Sequence, residues 1–262
     1  AGCPRPARGR SGVTMPAELQ TMLVLLPVAC LGSFVYGVTG FGSALITIPL
    51  ASLIYPLPFV LAVFALLDIV NALRVGLAQP QAIVREEARR LIPCCILGVL
   101  IGTVLLALLR TQILLFALGL FVVSFALYSL LAPEASLRIG ARWGYLAGFS
   151  GGITSAIFGA GGPPYVIYLS LRPHGKQAMR ATLAATSIVS VGARIVAFAV
   201  AGLLSPPAVW LTAAPLVPAI LGSLWLADRA HNRISRTAMI RAIRGLLLVA
   251  GMSLVIRAMR GM

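Results

Sequence analysis

Two glycine-rich interruptions inside long apolar stretches constrain this chain most. Gly37-Val38-Thr39-Gly40-Phe41-Gly42-Ser43 lies between apolar residues that begin at Leu23 and continue to Leu57. A glycine inside a helix costs about 1 kcal/mol relative to alanine, and three fall within six residues here. In hydrocarbon, a freed backbone N–H finds no water, so such a break survives only where it lines a protein cavity. The device recurs at Gly159-Ala160-Gly161-Gly162-Pro163-Pro164, and Gly40 to Gly159 is a shift of 119 residues. Two glycine-broken apolar segments at matching positions in two halves point to a transporter's binding site.

The rest of the composition agrees. Of 262 residues, 60% are hydrophobic and 10% charged, with a mean hydropathy of +1.00. That is the composition of a polytopic membrane protein. The formal charge of +15 does not mark a nucleic-acid binder, because the basic residues lie between apolar runs rather than on one patch. Lys176 is the only lysine, and the loop arginines follow the positive-inside rule. Cys3, Cys30, Cys94 and Cys95 have no metal-ligand spacing and read as small packing residues. Neither a metal nor a cofactor is expected.

Apolar segments fall at 19–37, 41–56, 58–78, 91–109 and 113–131, then at 143–158, 162–171, 181–202, 206–226 and 241–259. Several reach the roughly 20 residues that span hydrocarbon. Those at 41–56 and 162–171 are short and read as half-helices or re-entrant pieces. Pro163 suits a first helical position, and Gly162 before it is biased away from helix. The expected fold is all-α: two repeats, 19–131 and 143–259, each a glycine-broken pair followed by three spanning helices, with 1–18 a disordered tail. Met15 reads as a natural start. Five elements per half is odd, so the second half enters from the opposite side and the repeat is inverted. Loops 79–90, 132–142, 172–180 and 227–240 carry most of the basic residues, whereas 56–58, 110–112 and 203–206 carry only Arg110. The basic loops are expected in the cytoplasm, with the chain in the cell membrane and both termini outside.

These residues resemble the TauE/SafE family of sulfite- and organosulfonate-type anion transporters. Its glycine motif near the start of each half is matched by Gly37, Gly40, Gly42 and Pro49, with Ser43 where the last glycine usually stands. The second half offers Gly148, Gly152, Gly159, Gly161, Gly162 and Pro163, with Tyr168 where the first half has Pro49. Pro93 with Gly98 and Gly102, then Pro218 with Gly222, are similar too, and the resemblance covers residues 20 to 258. It implies a secondary transporter, not an enzyme, that moves a small anion by alternating access. A sulfur oxyanion such as sulfite or an organosulfonate is the implied substrate; another small anion, such as a carboxylate, is the alternative.

An anion leaving water needs replacement donors. Half-helices starting near Phe41-Gly42-Ser43 and near Gly161-Gly162 would present free N–H groups and positive dipole ends. Glycines at Gly40, Gly42, Gly159, Gly161 and Gly162 permit close approach to the backbone, and Thr39 and Ser43 add hydroxyls. Close helix packing is the competing use of such glycines, and the one expected of Gly98 and Gly102. Asp68 lies mid-span, where a charge costs roughly 2.5–3.5 kcal/mol on insertion scales. Asn71 shares its face at i+3, and the 119-residue shift places Ser187 and Ser190 in the matching positions, with Arg194 on that second face. Asp68 is a candidate for ion coupling by a proton, and Arg194 for pairing with an oxyanion through its planar fork. An Asp68–arginine ion pair inside the bundle is the alternative, with Arg74 snorkelling to the interface. Glu86 and Glu87 read as solvated loop residues. Gly148-Phe149-Ser150-Gly151 fits a rhomboid-like intramembrane protease, but His174 and His231 lie in arginine-containing loops, away from any span.

Overall fold

The computed structural model describes residues 17–77, 80–131, 139–173 and 175–230, with Gly251, Met252, Ser253, Val255, Ile256 and Met259 beyond them. The helices are α1 (Ala17–Thr39), α2 (Ser43–Ser52), α3 (Leu57–Gly76), α4 (Arg85–Leu108), α5 (Thr111–Leu131), α6 (Trp143–Phe158), α7 (Gly162–Ser170), α8 (Lys176–Val200) and α9 (Pro207–Ala230). Ala17 and Glu18, expected in the tail, open α1; the rest of that tail and most of the segment at 241–259 lie outside the described residues. Helices α4 and α8 start five or six residues before their apolar segments. A hydropathy reading sees only the part in hydrocarbon, whereas the polar first turn continues the same backbone bonding into the interface.

Among the described residues, six stretches are long and apolar enough to cross a membrane: Thr21–Thr39, Leu57–Gly76, Arg85–Leu108, Thr111–Tyr128, Gln177–Val200 and Pro207–Arg229. The chain is thus an all-α, multi-pass membrane protein. Helices α2 and α7, with 10 and 9 residues, are too short to cross. Each folds back on its predecessor: Gly32 of α1 faces Thr47 and the Ser43 carbonyl of α2, and Gly151 of α6 faces Tyr165 of α7.

Helix α3 is apolar on every face but for Asp68, Asn71 and Arg74, as suits a helix enclosed by others. Its residues from Val60 to Ala65 are at most 2% exposed. It packs against α2, α8 and α9, while α1 lies along α9 and α4 along α6. The α4–α6 contact is backbone on backbone. A Cβ on Gly98 would strike the Phe149 carbonyl, one on Gly152 the Cys95 carbonyl, and one on Gly148 the Leu91 carbonyl. Small residues allow this approach where no hydrophobic force drives helices together. In the last segment Gly251 packs on Gly119 and Val123 of α5.

One end of the bundle gathers the charges. Arg74 at the end of α3 pairs with Asp228 at the end of α9. Glu87 was expected in a solvated loop, but it sits in the first turn of α4, 1% exposed. Arg172 binds it at 2.9 Å, Arg90 lies 3.3 Å away and the Tyr168 hydroxyl donates to it. The reason is the return of α7 to this end, which lays Tyr168 and Arg172 over the carboxylate. Glu86, one residue earlier, remains exposed.

Overpacking costs about 1–3 kcal/mol, so Gly98→Ala and Gly152→Ala are expected to lower the melting temperature of the detergent-solubilised protein clearly. A Cβ on Gly222 meets nothing within 4 Å, and Gly222→Ala should leave melting unchanged or higher. Equal effects at all three positions would refute the packing assignment.

Candidate functional site

The two breaks meet. Among the described residues, positive φ occurs only at glycines: Gly40 (82°), Gly42 (91°), Gly159 (68°) and Gly202 (75°). Three of the four lie in the breaks, in the left-handed region that side chains avoid. A Cβ on Gly162 would lie 3.3 Å from the Phe41 ring, and one on Gly159 would lie 3.1 Å from Ile48 and 3.4 Å from Ala44 of α2. The tip of each hairpin therefore rests on the other.

Between them is a cavity of about 40 Å³, walled by Tyr36, Phe41, Gly42, Ser43, Asp68, Ser155, Gly159, Gly161, Gly162, Tyr165, Ser187 and Ser190, among others. One water needs about 10–15 Å³, so the space suits a small ion. Both short helices start at this wall. The residue before α2 is Gly42 and that before α7 is Gly161, and neither helix has a side chain capping it. An uncapped N-terminus presents N–H groups and a positive dipole end; in α7, where Pro163 and Pro164 have no N–H, the donors at the helix start are those of Gly161 and Gly162.

Beside the cavity lies a buried ion pair. Arg194 Nη2 donates to Asp68 Oδ2 at 3.0 Å, with the side chains 0% and 7% exposed. The Ser43 hydroxyl donates to Asp68 Oδ1 at 2.7 Å, and Arg194 Nη1 donates to the Ser155 carbonyl at 3.0 Å. The hydroxyls of Ser190 and Ser155 bond at 2.9 Å. Arg194 Nε is buried without a hydrogen-bond partner. Burial makes such a pair costly unless its remaining bonds are satisfied, and here serines satisfy most of them.

Of the residues singled out in the sequence, Phe41, Gly42, Ser43, Asp68, Gly159, Gly161, Gly162, Ser187 and Ser190 come together on the wall, with Arg194 behind it. Thr39, Gly40 and Asn71 do not reach it. Thr39 Oγ1 lies 2.7 Å from the Val35 carbonyl and accepts from the Phe41 N–H at 3.3 Å, so it serves the break's own backbone. Gly40 faces Arg180, whose Nη2 donates to the Gly37 carbonyl at 2.9 Å. Asn71 is buried, and its Oδ1 has no partner. Ser150 donates to the Leu146 carbonyl of its own helix at 2.8 Å, and His174 and His231 lie outside the described residues.

Tyr36, Ser155 and Tyr165 were not anticipated. The 119-residue shift that relates the breaks also relates Tyr36 to Ser155, Phe41 to Ala160, Gly42 to Gly161, Ser43 to Gly162 and Asp68 to Ser187, all of them wall residues. Applying the shift to every residue near each break was the signal that finds the first two. Tyr165 carries no such signal; its hydroxyl bonds Cys95 Sγ at 3.0 Å, a contact that only packing reveals.

The family model described as Sulfite exporter TauE/SafE matches residues 25–254. No curated protein and no solved structure matches the chain.

Removing one member of a buried pair strands the other's charge, at about 3–5 kcal/mol. Asp68→Leu and Arg194→Met are each expected to destabilise the folded protein by that order. The double variant should recover most of the loss, as read from thermal unfolding in a double-mutant cycle. Additive losses would show that the pair is not coupled.

Proposed function

The chain belongs to the TauE/SafE family of membrane sulfite and anion transporters, and on that premise we propose that the cavity between its two breaks is the site of a small sulfur oxyanion, sulfite first. The observation that carries this reading is the convergence of two uncapped helix N-termini on one cavity beside a buried guanidinium. Backbone N–H groups at Gly42 and Gly161, with the Ser187 hydroxyl, replace the water that the anion loses; Ser43 and Ser190 join them by turning their hydroxyls from Asp68 and Ser155 to the anion. A cavity of about 40 Å³ favours sulfite over an extended organosulfonate or carboxylate.

Asp68 couples transport to a proton. Ionised, it holds Arg194, and the pair adds no net charge to the site. Protonated, it leaves the Arg194 charge uncompensated beside the cavity, which favours an anion. Binding therefore takes up a proton, and release of that proton restores the ion pair and weakens the anion's hold. The two halves form an inverted repeat, supported by the paired wall residues. Alternating access follows from rocking one hairpin against the other at the Phe41–Gly162 contact. The charged end of the bundle lies in the cytoplasm by the positive-inside rule, in the cell membrane.

The direct test is a proteoliposome flux screen over sulfite, sulfoacetate, taurine, sulfate, thiosulfate and small carboxylates. Transport of sulfite at the lowest half-saturating concentration is expected; transport of cations alone would overturn the reading.

Two variants probe the mechanism. A side chain at Gly42 must adopt left-handed backbone and would project at the α2 N-terminus, where only a Leu45 methyl lies near it, at 3.9 Å, and where the anion would sit. Gly202→Ala imposes the same strain in the α8–α9 turn, where the nearest atom is 3.8 Å away. Gly42→Ala is expected to weaken sulfite binding about tenfold, the loss of one charge-assisted hydrogen bond, while Gly202→Ala lowers only stability. Equal affinities would remove the N-terminus of α2 from the site. In the wild type, sulfite affinity should fall as pH rises. Asp68→Asn should abolish that dependence and pH-driven accumulation while sparing anion exchange. A pH profile unchanged by the substitution would exclude Asp68 as the coupling group.

A further inference from the structure

A second cavity, about 180 Å³, opens at the charged end of the bundle. Its walls are Arg74 and Gly76 of α3, Arg180 and Ala181 of α8, and Leu224 and Asp228 of α9. Two guanidinium groups face one carboxylate, so its net charge is positive. Arg74 and Asp228 are 3.3 Å apart, with side chains 52% and 50% exposed. An ion pair so open to water holds weakly, and an incoming anion can take Asp228's place on Arg74. The cavity is several times larger than the central one, so an anion need not shed all its water there.

Arg180 stands between the two cavities. Its Nη2 holds the Gly37 carbonyl in the last turns of α1, where the helix dipole is negative. Its stem lies against Gly40: a Cβ there would be 3.1 Å from Arg180 Cγ. One residue before Gly37, Tyr36 lines the central cavity, and one residue after Gly40, Phe41 does so as well. Any movement of Arg180 thus acts on the residues that wall the inner site.

We propose that this outer cavity is a loading site for a partly hydrated small oxyanion at the cytoplasmic mouth, and that Arg180 passes between the Gly37 carbonyl and the anion to open the way inward. The proposal rests on the central cavity being an anion site, but it uses separate residues. With Arg180 on Gly37 the first break is pinned. With Arg180 on an anion the Gly37 carbonyl is released and the tip of the first hairpin is free to shift. Arg74, freed from Asp228, supplies the second guanidinium.

The test is sulfite uptake into inside-out and right-side-out membrane vesicles. Arg180→Gln should raise the half-saturating sulfite concentration about tenfold when sulfite is offered at the cytoplasmic face, through loss of a charge-assisted contact. Loss of the Gly37 contact acts on both faces alike, so the value at the outer face should move much less than the cytoplasmic one, and the ratio of the two should rise. Asp228→Asn should lower the cytoplasmic-face value, because it frees Arg74. Equal shifts at both faces, or none, would overturn the loading site while leaving the central reading intact. A wild type that moves no sulfite from either face would instead refute the central reading. The outer cavity is then decided by alkylation of Val75→Cys, a wall position. The anionic reagent iodoacetate should react faster relative to neutral iodoacetamide than at a free thiol, and Arg180→Gln should cut that ratio about threefold. A ratio indifferent to Arg180 would sink the proposal whatever the transport result.

Discussion

The Asp68–Arg194 pair ties two spans and both broken hairpins to one buried point. Asp68 is on α3 and Arg194 on α8, and the two spans are joined at a 3.0 Å contact deep in the bundle. Ser43, the first residue of α2, donates to Asp68, and the Ser155 carbonyl of α6 accepts from Arg194. Both broken hairpins are thus bonded to the same two charges. With the side chains 0% and 7% exposed, each bond is expensive to lose. A carboxylate that gains a proton, or a guanidinium that gains an anion, changes what both hairpins are attached to.

The glycines divide into two physical kinds. Gly40, Gly42 and Gly159 are needed for their backbone, with φ between 68° and 91°. Gly98, Gly148 and Gly152 have helical backbone and are needed for their lack of a side chain, since a Cβ would strike a carbonyl of the facing helix. Gly161 belongs to the second kind although it lies in a break. Its φ is −72°, and a Cβ would come within 2.8 Å of the Gly151 carbonyl. The α6–α7 hairpin is therefore packed tightly from inside, whereas Gly42 has only a Leu45 methyl near it, at 3.9 Å. The first break has more room beside its helix start than the second.

Charge placement follows the same economy. Glu87 is buried under Arg172 and Tyr168, which fastens the returning end of α7 to the start of α4. This also accounts for the tyrosine at the position where the first half has Pro49: Pro49 sits inside α2, whereas Tyr168 reaches a carboxylate. The two halves share a layout near the cavity and differ where each is anchored.

Much of this was legible in the sequence for a local reason. Hydrocarbon obliges each backbone segment to satisfy itself as helix, so the spans, their breaks and the two short helices follow from apolar length and glycine position alone. The duplicated break, the mid-span charge at Asp68 and the 119-residue shift led to much of the wall: Phe41, Gly42, Ser43, Asp68, Gly159, Gly161, Gly162, Ser187 and Ser190. Helix starts at Arg85 and Lys176 were missed because hydropathy fades before the helix ends. An Asp68–arginine pair was one of the sequence's own alternatives, but tertiary structure decided that the arginine is Arg194 and which other groups meet. Asp68 finds Arg194 across 126 residues, Tyr168 finds Glu87 across 81, and Arg180 finds Gly37 across 143. Those pairings depend on the rotation and depth of separate helices. No local pattern encodes them, because the force that sets them is the packing of one helix surface against another.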